Sequence, residues 1–312
     1  MILAAVMLAV AQAKQQAAPA RGQYTTDSVT SKDGTIIGYR QLGHGPGLVV
    51  LHGTAESSQS HMQLADALAD SFTVYLPDRR GRGMSGPHGA SYSLQKEVED
   101  VEALLAKTGA HCVFGVSTGA IVTLQAGLTL PSIRRIAVFE PPMILNGSPS
   151  TAFVARYDKE IAHGDVTSAL VTAMQGSQMG PPVFNMMPRW LLRLLTGAMM
   201  AAEERGAKRD DVTMRKLAPT LRYDFQLIVE SEGAVERFSA IRTEVLLLGG
   251  SKSPAYLTAG LDALEKALPR VKRIEFPGLN HGASGNSNRG GKPDRVAKEL
   301  RKFFMAPSSA SA

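Results

Sequence analysis

One cysteine, Cys112, is all that this chain of 312 residues carries, which excludes an internal disulfide framework and any metal site built from several thiolates. Its place in the apolar run HCVFGVS reads as a small buried hydrophobe. Aromatic residues are scarce, at 6% with a single Trp, while Ala, Gly and Leu abound. That balance suits helices packed on a sheet better than an all-β sandwich. No uncharged apolar run is long enough to span a bilayer, so no integral membrane segment is expected. No sequence repeat is visible.

Charge is present in small groups without a basic stripe. The formal net charge is +6, carried by Arg79, Arg80 and Arg82, by Arg134 and Arg135, by Arg270, Lys272 and Arg273, and by residues 289–302. No nucleic-acid motif accompanies them, so they read as solvated faces and no nucleic-acid partner is expected. The leader, residues 1–23, begins with the apolar MILAAVMLAVAQA, whose Ala11-Gln12-Ala13 has the form of a signal-peptidase site but whose start lacks Lys and Arg. A cytoplasmic location is favoured on that ground, with secretion left open. The final residues, 306–312, are low in complexity and read as a disordered tail. Composition says nothing about oligomeric state.

What the chain does have is alternation. TTDSVTS and TIIGYRQLG flank Lys32-Asp33-Gly34, a hairpin signal. Short apolar runs then alternate with helical patterns: GLVVLHG, SQSHMQLADALADSF, FTVYLPDRR, SLQKEVEDVEALLAKTG, HCVFGVS, GAIVTLQAGLTL and RRIAVFEPP. Two further units close the chain, TEVLLLGG with YLTAGLDALEKALP, and RVKRIEFPG with RVAKELRKFF. This is the pattern of an α/β fold with a parallel sheet covered on both faces. Residues 144–239 show no strand and read as a helical cap inserted between core segments 24–143 and 240–305, over the strand ends where ligands bind.

The sharpest chemical signal is Gly115-Val116-Ser117-Thr118-Gly119, between an apolar strand and an apolar helix. Small residues on both flanks permit the tight strand-to-helix turn that lifts a nucleophilic Ser117 hydroxyl above the sheet, and the helix N-terminus adds positive potential beside a developing oxyanion. A serine hydroxyl needs an imidazole to take its proton. Of seven histidines only His163 and His281 follow Ser117. His163 lies in the cap and reads as a surface residue, whereas His281, in PGLNHGASG after the last strand, is the expected general base. Leu51-His52-Gly53-Thr54 follows the strand GLVVL, where the Thr54 backbone N–H can join that of Thr118 in an oxyanion hole. His52 precedes the nucleophile and is expected to brace this loop.

With HG after the third strand, Asp78-Arg79-Arg80-Gly81-Arg82-Gly83-Met84-Ser85-Gly86 after the fourth, GVSTG after the fifth and GLNH after the eighth, the chain resembles the α/β-hydrolase superfamily from about Thr25 to Phe304. The resemblance implies an α/β-hydrolase fold with a mostly parallel eight-stranded sheet, a helical cap and no metal or organic cofactor. The DRRGRGMSG segment is similar to a family turn that supports the active-site loops without reacting. The chain departs from the family after the seventh strand, where an aspartate is usual and Gly249-Gly250-Ser251-Lys252-Ser253-Pro254 stands instead.

The missing acid leaves three options. Glu140 directly follows the strand RRIAVF, and Pro141 and Pro142 keep the chain extended beyond it, so this carboxylate is the expected triad acid. Alternatively Glu140 pairs with Arg79 or Arg80 and steadies the cap, and Asp262, or no acid at all, completes the site. Acyl chemistry on an ester, thioester or lactone is expected. The resemblance does not separate acyl transfer and C–C hydrolysis from it, and implies that epoxide or halide chemistry would call for an aspartate at position 117. A hydrolase-fold ligand-binding protein with slow turnover is the competing reading. Met179, Met186, Met187, Trp190, Leu191, Leu194, Met199 and Met200 crowd the cap, so an apolar small-molecule substrate is expected, although helical spacing alone equally describes packing.

Overall fold

The computed structural model describes residues 23–146, 148–179 and 186–307, so all but the last residue of the leader expected at residues 1–23, and most of the expected tail, lie outside the described residues. Eight strands form one sheet in the order β1-β2-β4-β3-β5-β6-β7-β8. They are β1 (Thr25–Thr30), β2 (Ile36–Gly43), β3 (Gly47–Leu51), β4 (Thr73–Pro77), β5 (Cys112–Val116), β6 (Arg135–Phe139), β7 (Glu244–Gly250) and β8 (Val271–Phe276). Strand β2 is antiparallel to β1 and β4, and all pairings from β4 to β8 are parallel. The fold is therefore the expected eight-stranded, mostly parallel sheet.

The central strands are continuous apolar runs because both their faces are covered. Alternate residues feed two cores. Val49, Val113, Val138 and Leu247 point to one, shared with helices α2 (Leu94–Thr108), α3 (Thr118–Thr129) and α10 (Ala255–Ala267). Val50, Phe114, Ala137 and Leu246 point to the other, shared with α1 (Met62–Leu68) and α11 (Pro293–Met305). Helix α2 shows how the sequence sets an element: Leu94, Val98, Val101, Leu104 and Leu105 bury one stripe, and Gly109, left-handed at φ 67°, closes it with an N–H bond to Leu105 O at 2.9 Å.

Between β6 and β7 the described chain is helical: α4 (Phe153–Ala162), α5 (Val166–Gly176), α6 (Arg189–Gly206), α7 (Met214–Leu217), α8 (Leu221–Glu230) and α9 (Ala234–Phe238). These helices have a small core of their own, in which Tyr157, Leu170, Met200, Leu221 and Phe225 meet. The chain rejoins the main body before the strand resumes, since Leu227, Val235 and Phe238 belong to the core beneath α3. No helix of the described residues is long and apolar enough to cross a membrane.

The turn that matters most is the one from β5 into α3. Ser117 sits there at φ 54°, ψ −121°, a backbone conformation unfavourable for a residue with a side chain, and its N–H is tied to Phe139 O at 2.9 Å. The helix then passes so close to the end of β3 that a Cβ on Gly119 would lie 2.5 Å from His52 O. Gly119→Ala should therefore destabilise the protein by about 1–3 kcal/mol through overpacking against backbone. Urea unfolding checks this, and an unchanged midpoint would show that the helix can withdraw.

Candidate active site

Ser117, 8% exposed at the turn, and His281, in the loop after β8, line one cavity of about 1050 Å³ at the C-terminal ends of the parallel strands. This is where ligands bind in such sheets. His281 Nδ1 lies 2.7 Å from Glu140 Oε2, and Glu140 is 1% exposed. A neutral imidazole that donates Nδ1–H to this carboxylate keeps the lone pair on Nε2.

Glu140 is held from the β7 side. Its N–H bonds to Leu248 O at 3.1 Å, and its Oε1 accepts the Gly250 N–H at 2.6 Å. Gly249 and Gly250 make the room: a Cβ on the first would stand 3.0 Å from Glu140 Oε1, and one on the second 2.4 Å from Leu279 O, just before His281. The glycine pair that ends β7 thus receives a carboxylate sent across from β6. Arg79 and Arg80 make their ion pairs elsewhere, with Glu97 and Asp224 and with Asp33 and Asp100. Asp262 is paired with Arg273 at 2.5 Å and half-exposed. His163 is exposed, its Nδ1 2.6 Å from Lys159 O.

Thr54 and Thr118 are brought together, with their hydroxyls 3.3 Å apart. Thr118 is the first residue of α3, where an N–H has no intrahelical partner. His52 lies beneath the loop. Its Nε2 accepts the Arg79 N–H at 3.0 Å, so Nδ1 carries the proton and donates to Gly53 O at 3.1 Å. Burial first, then the charges of Arg82 and Arg79, hold its pKa well below the ordinary histidine value. Glu56 steadies the same loop, accepting the Gly53 N–H at 2.8 Å and facing His61 Nε2 at 3.0 Å. His61 Nδ1 in turn bonds Ser284 O at 3.1 Å, which joins this loop to the one bearing His281.

The expectation that the basic groups are solvated faces is wrong for Arg79, Arg80, Arg82 and Arg135, all less than 10% exposed. Buried carboxylates explain the first three. Arg79 grips Glu97 with two bonds of 3.0 and 2.9 Å and reaches Asp224 Oδ1 at 3.0 Å, while Arg82 pairs with Asp224 Oδ2. Burial opposes the charge on Arg79, yet Glu97 and Asp224 outweigh it and keep the guanidinium ionised. Arg135 is satisfied by Glu244 and by carbonyls at the end of α11. The sequence signal was the company of Glu97 and Asp100 on the buried stripe of α2, where two acids are costly without cations.

The sequence pattern that defines the alpha/beta hydrolase family matches residues 48–299. The chain belongs to this family. Among solved structures, this hydrolase is similar to an alpha/beta hydrolase from Sphaerobacter thermophilus, at 30% identity and a TM-score of 0.74, covering 89% of this chain and all of that one. It shares its fold with the esterase RhEst1 from Rhodococcus sp. at 22% identity and a TM-score of 0.64, covering 91% and 99% of the two chains. In sequence it is 24% identical over 266 residues to the pimeloyl-[acyl-carrier protein] methyl ester esterase of Xanthomonas campestris pv. campestris, covering 85% of this hydrolase and 97% of that enzyme.

His88 packs against the arginine cluster and stacks on Tyr223 with ring centroids 3.5 Å apart. Burial and the charge of Arg82 push its pKa down to about 3 from 6.5. Below the unfolded value the unfolded state binds a proton that the folded state refuses, so this residue removes stability as pH falls from 6.5 towards about 3. The slope is at most about 1.4 kcal/mol per pH unit. His88→Phe should flatten the urea-unfolding midpoint against pH in that window, and an unaltered slope would refute the assignment.

Proposed function

We propose that this protein is a serine hydrolase that cleaves an ester, thioester or lactone carrying an apolar group, with Ser117 as nucleophile, His281 as general base and Glu140 as the acid that orients it. The observation that carries this reading is the 2.7 Å contact of Glu140 with His281, which lines the same cavity as Ser117. The similarity to a methyl ester esterase supports the ester class. The competing reading, a hydrolase-fold ligand-binding protein with slow or no turnover, would gain support from a site without an acid, and Glu140 offers a carboxylate there.

In the reaction His281 Nε2 takes the Ser117 hydroxyl proton as Oγ bonds the acyl carbon, and the carbonyl π pair moves to oxygen. The Thr54 and Thr118 N–H groups face that oxyanion. The carbonyl re-forms as the bond to the alcohol, thiol or ring oxygen breaks, and the proton held by His281 goes to that leaving group. Water then repeats the sequence on the acyl-enzyme: His281 takes its proton, hydroxide adds to the carbonyl carbon, and the proton returns to Ser117 Oγ as the acid departs. Glu140 stabilises the imidazolium at both stages and fixes the tautomer. No cofactor enters this scheme. The inserted helices act as the cap, contributing Leu192, Met199, Met200, Leu217, Leu221 and Phe225 to the cavity wall.

Three measurements test the reading. A fluorophosphonate probe should label the protein rapidly and Ser117→Ala should abolish labelling, while Glu140→Gln should lower kcat by about 10²- to 10⁴-fold at an unchanged thermal midpoint. Near-normal kcat in the Gln variant would remove Glu140 from the triad. Burial of each added methylene is worth about 0.8 kcal/mol, or roughly a fourfold gain at most. Accordingly kcat/KM for p-nitrophenyl esters should rise from acetyl to hexanoyl, and a flat or falling series would contradict an apolar acyl pocket.

A further inference from the structure

We propose that Asp224, on α8 of the inserted helices, is a positioning residue that aims both backbone N–H groups of the oxyanion hole. The inference rests on the serine-hydrolase reading. Asp224 is fully buried, and its two oxygens serve three donors: Arg79 Nη1 and the Thr118 hydroxyl on Oδ1, at 3.0 and 3.2 Å, and Arg82 Nη2 on Oδ2. Each donor leads to one of the two amides.

The first path runs through Arg82. Its Nη2 is held by Asp224, its Nε donates to Thr220 Oγ1 at 2.9 Å, and its Nη1 donates to Gly53 O at 3.1 Å. The Gly53 carbonyl and the Thr54 N–H belong to one planar trans peptide and point in opposite directions. Pinning the carbonyl on the Arg82 side therefore turns the Thr54 N–H away from it, and Thr54 lines the cavity. His52 Nδ1 donates to the same carbonyl at 3.1 Å, so the peptide is held by two donors, one of them set by Asp224.

The second path is shorter. The Thr118 hydroxyl donates to Asp224 Oδ1 and accepts from Arg79 Nη1 at 3.1 Å, which fixes the first residue of α3 by its side chain. The preceding amide, that of Ser117, is already spent on Phe139 O. One carboxylate thus couples the two amides to each other and to the cap helix that bears it.

Arginine–aspartate pairs this deeply buried can also be plain cap anchors, so the test separates geometry from stability. Asp224→Asn keeps the shape and removes the charge. It should lower kcat for a p-nitrophenyl ester by about 10- to 100-fold, the scale of a small displacement at a reacting centre, with KM within about twofold. Affinity for hexaneboronic acid, which becomes a tetrahedral anion on the serine, should fall by the same factor, while affinity for uncleaved hexanamide should hold. Thr118→Val leaves both arginine–aspartate pairs in place and removes one hydroxyl, so it decides the matter if the Asn variant fails to fold. It should show the same split at about 3- to 10-fold. Loss of thermal stability with kcat and boronate affinity within about twofold would reduce Asp224 to an anchor and overturn the proposal. Fluorophosphonate labelling of the unsubstituted protein is run beside these, because its absence would sink the serine-hydrolase reading itself, whatever the variants show.

Discussion

Helix α3 can start against the end of β3 only because position 119 carries no side chain, and that close approach governs the site around it. With a Cβ there 2.5 Å from His52 O, helix and strand end would have to part. Ser117 would then leave its unfavourable turn, Thr118 would move from Thr54, and His52 would lose its seat under the HG loop. The strain held in Ser117 is sustained by neighbours that cannot yield: a Phe139 carbonyl on one side and two buried cores beneath.

The fold was legible because its signals are local. The DG hairpin, the apolar runs between helical stripes and the strand-turn-helix around Ser117 each depend on a few neighbouring residues, and the sheet follows from their order. For Glu140 the sequence left several partners open, and it is the observed 2.7 Å contact that brings this acid, leaving a buried strand ahead of two prolines, to His281 and not to an arginine. The arginine cluster was misread because the acid shared by Arg79 and Arg82 is remote. Asp224 stands more than 140 residues from both Arg79 and Arg82, and nothing in LRYDFQLIVE distinguishes a buried acid from one at a helix surface. The apolar residues of the insertion divide in a way spacing could not show, since Met179, Met199 and Met200 line the cavity whereas Met186, Trp190 and Leu194 face outward.

The departure after β7 has a simple geometric account. Strands β6 and β7 are parallel neighbours in register, Phe139 beside Leu248, so their C-terminal ends offer two launching points for a carboxylate aimed at the same imidazole. A carboxylate sent from β6 must cross the end of β7, and the glycine pair there provides both the space and an N–H to receive it. The acid and the two glycines are therefore one feature written in two distant parts of the chain.

Trp190, the only indole in the protein, is 68% exposed on α6, while Leu192 and Met200 on the same helix are buried and line the cavity. Its intrinsic fluorescence is therefore that of a largely solvated indole, open to a water-soluble quencher such as iodide, and anything that covers the outer face of the inserted helices would shield it.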